Sequence, residues 1–297
     1  MLPCCEDMVT SMEFQLKGQR LVLDRPLLMG IVNVTPDSFF DGGRFCDPQR
    51  AVAHALRLVD EGADLLDIGA ESTRPGASPV DEQEERRRLV PVVAALAKAV
   101  SVPISVDTSK AEVARAAIDA GAVMVNDVTA LRGDSAMVDV VAQAGAGLAL
   151  MHMQGTPETM QHAPRYVDVV GEVARFLAER ARFAIDHGVA KDRIVVDPGI
   201  GFGKTLDHNL DLLANLRVFT ELGYPLLVGP SRKGFIGQLT DQSVEARGWG
   251  TAAVVALAAE HGANILRVHD VGSMKDVAKI TVAIVRRTSA GVREQHA

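Results

Sequence analysis

The chain has 297 residues, 47% of them hydrophobic and 23% charged, with a formal net charge of −7. That balance suits a folded domain with ample core material and excludes a general nucleic-acid binder, which would carry a basic face. Cys4, Cys5 and Cys46 form no CxxC pair, no run of about 20 apolar residues could cross a membrane, and the first residues carry no basic-then-apolar leader, so a reducing, cytoplasmic setting is expected.

In chain order, residues 1–13 show no periodicity and read as a flexible tail. The segment 14–23, FQLKGQRLVL, alternates around Lys17-Gly18-Gln19 and predicts a hairpin suited to capping the bottom of a barrel. Candidate strands follow at 27–33, 64–68, 103–107, 122–126, 147–151, 193–197, 225–229 and 264–268. Candidate helices lie at 48–61, 80–99, 110–120, 134–144, 166–187, 208–222, 245–262 and 273–288, with 289–297 as a second flexible tail. Start signals are Asp47-Pro48, Asp81 with Glu84, and Ser109 with Glu112. Gly62, Gly121, Gly145, Gly188, Gly223 and Gly262 are stop signals. The strand runs lack clean alternation, as expected where both faces are buried. Eight βα units, with no GxGxxG after the first strand, favour a (β/α)8 barrel over an open doubly wound sheet. One domain is expected over residues 14–288.

The apolar runs end in reactive residues: Asn33, Glu71-Ser72-Thr73-Arg74, Asp107, Asn126-Asp127, His152, Asp197, Ser231-Arg232-Lys233 and Arg267-Val268-His269. In a barrel these ends converge at one mouth. Asn33 opens a long Gly-rich loop and can offer an oxygen to a hard cation or an amide to a phosphate. Ser72, Thr73 and Arg74 carry donors for an anion, whereas Arg87 and Arg88 read as a solvated helix face. A heterocycle with N–H donors would satisfy Asp107; for Asp127 a loop or capping role stays equally open. Asp197-Pro198-Gly199-Ile200-Gly201-Phe202-Gly203-Lys204-Thr205 invites a phosphate-loop reading, but its glycine spacing fails that motif. Its glycines better allow a flat ligand to approach, or Phe202 to swing over it. Arg267 and His269, two apart on an extended segment, face the same way and suit a phosphate. His54, His162, His187, His208 and His261 read as surface or capping residues, and the absence of HxH and HExxH disfavours a zinc hydrolase.

The ordered set NVTPDSFFDGG, DIGAESTRPGA, SVDTSK, NDVTAL, LMHMQG, DPGIGFGKTLDHNL, GPSRKGFIG and RVHDV resembles the dihydropteroate synthase family over residues 27–283. The resemblance implies a barrel enzyme of folate biosynthesis that joins 4-aminobenzoate to a dihydropterin carried as its hydroxymethyl diphosphate. It further implies Mg2+ as cofactor and sulfonamides as aminobenzoate mimics. By the same resemblance, Asp107, Asn126, Asp197 and Lys233 would hold the pterin. Asn33, Thr73, Arg267 and His269 would hold the diphosphate, with Asn33 as the protein ligand to Mg2+. Thr73, Pro75, Phe202, Ser231 and Lys233 would form the aminobenzoate pocket. Asp41 and Arg74, on two loops expected to close over the site, would complete the catalytic set with Lys233. The chain departs from many relatives at Phe40, where Ser is common, and at Ala70, where Gly is. A corrinoid-linked pterin methyltransferase and an inactive pterin-binding protein are the rival readings. Residues 252–259 are apolar nearly all round, which, with the resemblance, predicts a homodimer interface.

Overall fold

A computed structural model describes residues 12–35, 48–73 and 76–294. The described residues form ten strands and ten α-helices, in a largely alternating order after the first two strands. The strands are β1 (Glu13–Leu16), β2 (Gln19–Val22), β3 (Leu27–Asn33), β4 (Leu65–Gly69), β5 (Ile104–Asp107), β6 (Met124–Asp127), β7 (Gly147–Met151), β8 (Ile194–Asp197), β9 (Leu227–Val228) and β10 (Ile265–Val268). The helices are α1 (Pro48–Asp60), α2 (Glu82–Ala99), α3 (Ala111–Asp119), α4 (Met137–Ala144), α5 (Val169–Asp186), α6 (Leu206–Ala214), α7 (Arg217–Thr220), α8 (Gly234–Thr240), α9 (Gly248–Glu260) and α10 (Val271–Glu294).

The eight strands β3–β10 form one parallel sheet in the order β8-β7-β6-β5-β4-β3-β10-β9. A parallel bridge between Val196 and Leu226 joins its two edges and closes the (β/α)8 barrel. Strand side chains alternate sides, and the core divides accordingly. Leu28, Leu66, Ile68, Val106, Val125, Leu148, Leu150, Val196 and Leu266 point outward, into the apolar layer beneath the helices. Met29, Leu65, Met124, Ala149, Val195, Leu227 and Ile265 point inward and fill the lower half of the barrel. One pleat higher, the inward positions turn polar, beginning at Asp67, which pairs in register with Ser105. Within the barrel interior, Asp67, Asp107, Asp197 and Arg267 therefore gather toward the upper end.

The expected hairpin plugs the lower end. β1 and β2 pair antiparallel around Gly18, whose φ of 74° suits glycine. Phe14 and Leu16 join the inner apolar cluster, and Arg193 donates to the Leu16 carbonyl at 3.1 Å, fastening the plug.

Local signals act as expected at several helix ends. The Asp81 carboxylate accepts from the Glu84 N–H at 3.0 Å and caps α2. All the glycines expected to stop helices have positive φ. Ser109 is not a cap, however. The N-cap of α3 is Lys110, and Asp134 from the next loop accepts from the Ala111 N–H at 2.9 Å. The helix predicted over 208–222 is two helices, α6 and α7. Asn215 ends α6 and turns its side-chain amide back onto the Asp211 carbonyl at 2.8 Å, an alternative to the helical ladder. α8 went unpredicted because GFIGQLT carries two glycines in seven residues, which obscures helical spacing. α10 continues past 288, to Glu294. Among the described residues no helix is long and apolar enough to cross a membrane.

Candidate active site at the barrel mouth

A recess lies at the C-terminal end of the barrel. Asp107, Asn126, Val128, Met151, Asp197, Gly199, Ile200, Phe202, Gly229, Lys233 and Arg267 line it. Six of these were singled out from the sequence for one site: Asp107, Asn126, Asp197, Phe202, Lys233 and Arg267. The physical reason is strand register. Asp107 pairs with Asn126, and Met151 with Asp197, so their side chains emerge at similar heights on the inner face.

A charge network forms the floor. Arg267 Nε donates to Asp67 Oδ2 at 2.6 Å and its Nη2 to Asp107 Oδ2 at 2.8 Å. Asn126 Nδ2 donates to the same Asp67 oxygen at 2.9 Å. Asp67 is fully buried and had no role in the sequence reading. Its signal was available, because Leu65, Asp67 and Gly69 share the inner face, and a carboxylate there needs a cation across the barrel.

Burial disfavours ionisation throughout. It lifts the Asp107 pKa to about 7; Arg267 opposes this and Asp67 adds to it. Burial also lifts Asp197 to about 6, against the Gly199 N–H, which donates to its Oδ1 at 2.7 Å. Lys233 falls to about 8 through burial and the nearby Arg267. Arg267 moves the other way: burial works against its charge, but Asp67 and Asp107 outweigh that and raise its pKa. The recess thus holds acids and bases close to exchange at neutral pH, which is characteristic of reactive sites.

The seventh loop is shaped by Arg232, which holds a φ of 55° although it is not glycine. Its N–H donates to buried Thr251 at 3.0 Å and its guanidinium pairs with Asp270 at 2.7 Å, so the side chain turns away while Lys233 turns in. Lys233 Nζ sits 4.1 Å from the centre of the Phe202 ring, within cation–π reach.

Asn33, Thr73, Ser231 and His269 stand outside the lining of the recess. Asn33 ends β3, in register with Gly69. Ser231 Oγ lies 2.8 Å from His269 Nδ1 and accepts from the His269 N–H at 3.2 Å, so this hydroxyl meets the histidine. Burial, with Arg267 and Arg232 nearby, lowers the His269 pKa to about 3, leaving a neutral ring. Asp127 takes the structural role: it accepts from the Thr129 and Leu131 N–H groups, both at 2.8 Å, and shapes its own loop. Asp41, Arg74 and Pro75 lie outside the described residues. Among those described, no three His, Cys, Asp or Glu side chains are placed to hold a metal ion.

Residues 29–269 match the family model described as "Pterin binding enzyme". A dihydropteroate synthase of Neisseria meningitidis serogroup C is 49% identical over 266 residues, covering 88% of this chain and 94% of its own. The chain belongs to the dihydropteroate synthase family of pterin-binding enzymes. Its fold also matches family members of known structure. A Xanthomonas albilineans dihydropteroate synthase with 4-aminobenzoic acid is 51% identical, with a TM-score of 0.87, covering 93% of this chain and 98% of that one. A Yersinia pestis dihydropteroate synthase with a sulfonamide drug complex is 45% identical, with a TM-score of 0.88, covering 92% and 99%. Within the family frame, the residues that sequence reading missed are Asp67 and Lys204, both buried just off the recess.

Proposed function

We propose that this chain is a dihydropteroate synthase, joining 4-aminobenzoate to (7,8-dihydropterin-6-yl)methyl diphosphate and releasing 7,8-dihydropteroate and diphosphate. The observation that carries the reading is the single recess in which Asp107, Asn126, Asp197 and Lys233 converge. A 2-amino-4-oxo pterin presents adjacent N–H donors and a ring carbonyl. Asp197 accepts the donor pair and Lys233 donates to the carbonyl, while Asp107 and Asn126 meet the opposite edge. Phe202 walls the side where 4-aminobenzoate enters, with Thr73 and Pro75 from the second loop. Arg267 has its Nε and Nη2 on carboxylates, which leaves its Nη1 end for a phosphate. Neutral His269 donates a further hydrogen bond to the diphosphate. Ser231, whose hydroxyl meets His269 and can accept a further hydrogen bond, belongs on this reading to the aminobenzoate pocket. Asp41 and Arg74 belong to loops that complete the site.

The donor set suits Mg2+. This ion takes few protein ligands and is held mainly by phosphate oxygens and water, so one amide oxygen from Asn33 fits without an acidic cluster. When bound, it stabilises negative charge on the departing diphosphate. The protein itself supplies position and electrostatics rather than a nucleophile: Asp197 and Lys233 orient the ring, Arg267 and His269 meet the leaving charge, and the aromatic amine attacks the methylene carbon. The cysteine pattern supports a cytoplasmic location.

Incubating the protein with both substrates and Mg2+ should release diphosphate in step with 7,8-dihydropteroate. Pterin binding without release would favour an inactive pterin-binding protein. Methyl transfer from a methylated pterin to a corrinoid would favour the methyltransferase reading.

The chain is further proposed to act as a homodimer. α9 and α10 pack side by side, with Leu257 38% exposed on the first and Ile280 and Ile284 each 61% exposed on the second. Apolar side chains left in water on adjacent helices suit a second copy. Sedimentation at micromolar concentration is expected to give a dimer, and Ile280→Glu with Ile284→Glu to give a monomer; a wild-type monomer would refute the interface.

A further inference from the structure

The Gly-Lys-Thr end of the sixth loop is no phosphate loop, yet its lysine is 3% exposed. The Lys204 ammonium is turned onto protein acceptors rather than into the recess lining. An ammonium has three N–H donors, and burying it unpaired is costly. Lys204 Nζ meets three acceptors: the Phe202 carbonyl at 2.9 Å, His152 Nδ1 at 3.0 Å and the His152 carbonyl at 3.3 Å. Burial lowers the Lys204 pKa to about 7, against the nearby Asp197, and its donors are taken up by two segments only, the end of β7 and the loop after β8.

Both segments border the recess. Phe202 forms one wall and lies against Lys233. The backbones are already in close contact, since a Cβ on Gly199 would collide with the His152 carbonyl. The outer stitches of this loop are exposed or half-buried: Gln161 donates to the Gly201 carbonyl at 2.9 Å and Tyr166 to the Gly203 carbonyl at 2.8 Å. The Lys204 contacts to His152 are buried, and among the bonds described Lys204 alone grips the carbonyl of Phe202 itself.

We propose that Lys204 is a positioning residue for the second substrate, clamping the Phe202 wall to His152 so that the aminobenzoate side of the recess keeps its shape. This rests on the synthase reading above. The clamp requires His152 Nδ1 to accept, which places the ring proton on Nε2. The tight burial of that ring, with Lys204 and Arg132 beside it, lowers the His152 pKa to about 2 and keeps it neutral.

Lys204→Met preserves length and apolar bulk but removes every donor. The KM for 4-aminobenzoate should rise about tenfold or more, the scale of a lost charged hydrogen bond, while the Kd for the pterin diphosphate changes by less than about threefold. Equal changes in both constants would mean a general packing role, and no change would mean no role; either overturns the proposal. If Lys204→Met does not fold, His152→Gln and His152→Leu replace it. Gln retains an acceptor for the ammonium and should stay near the wild-type aminobenzoate KM, whereas Leu should raise it; equal values would sink the clamp. Nitrogen-15 NMR at pH 6 should show His152 as the Nε2–H tautomer, and an Nδ1–H signal would contradict it. A wild-type protein that releases no diphosphate overturns the synthase reading; an active wild type with an unselective Lys204→Met overturns the clamp alone.

Discussion

Asp197→Ala should weaken binding of the dihydropterin diphosphate by about thirty- to a thousandfold, the 2–4 kcal/mol expected when a paired, charge-assisted acceptor is lost from a buried site. Asp197 is 5% exposed and its Oδ1 already accepts the Gly199 N–H, so the carboxylate is held in one orientation before ligand arrives. Near-normal affinity by calorimetry would remove Asp197 from the pterin site. The pH dependence gives a second check. Burial raises the Asp197 pKa to about 6, and the accepting form is the carboxylate, which predominates above that value. Affinity should therefore level off above about pH 6 and fall about tenfold per unit below it. Asp107, near 7, titrates in an adjoining window. Asp197→Asn separates the two, because it should erase the step near 6 and leave any step near 7.

Arg267→Leu should be the most damaging change to both fold and turnover. Asp67 is fully buried, and one oxygen takes both the Arg267 and the Asn126 bonds while Oδ1 has no partner. Removing the guanidinium leaves that carboxylate, and Asp107 beside it, without their cation. Breaking a buried pair from one side costs about 3–5 kcal/mol. Unfolding in urea should show that loss, and diphosphate release should fall with it, because Arg267 is also the cation aimed at the leaving group. The double variant Asp67→Asn with Arg267→Leu removes the stranded charge. It should recover much of the stability and none of the turnover. A single variant as stable as wild type would show that the pair is not a structural anchor. A double variant with restored turnover would show that Arg267 has no part in the reaction.

The sequence was legible where physics is local. Strand runs such as 27–33 and 147–151 coincide with β3 and β7 because parallel barrel strands are buried on both faces. Asp81 caps α2 and the glycines stop their helices, since a cap or a positive φ involves only a few neighbouring residues. The strand-end residues could be assigned to one mouth because the barrel topology carries every strand the same way. Local reasoning failed at 208–222, where one Asn side chain competes with the helical ladder, and at α8, where glycines hide a helix held by tertiary packing.

What the tertiary structure alone decided is which charges meet. Arg267 finds Asp67 and Asp107, which precede it by 200 and 160 residues, and no periodicity encodes a pairing at that separation. Glycine spacing already denied Lys204 a nucleotide motif, but only the folded chain brought its Nζ to the Phe202 and His152 acceptors. Asp127 and Asn126 are neighbours in sequence, yet one closes a loop and the other faces the recess, because successive strand residues point to opposite sides. Local sequence sets which residues can be reactive. Their pKa values and partners depend on burial and on distances of a few ångströms, which exist only once the barrel has closed.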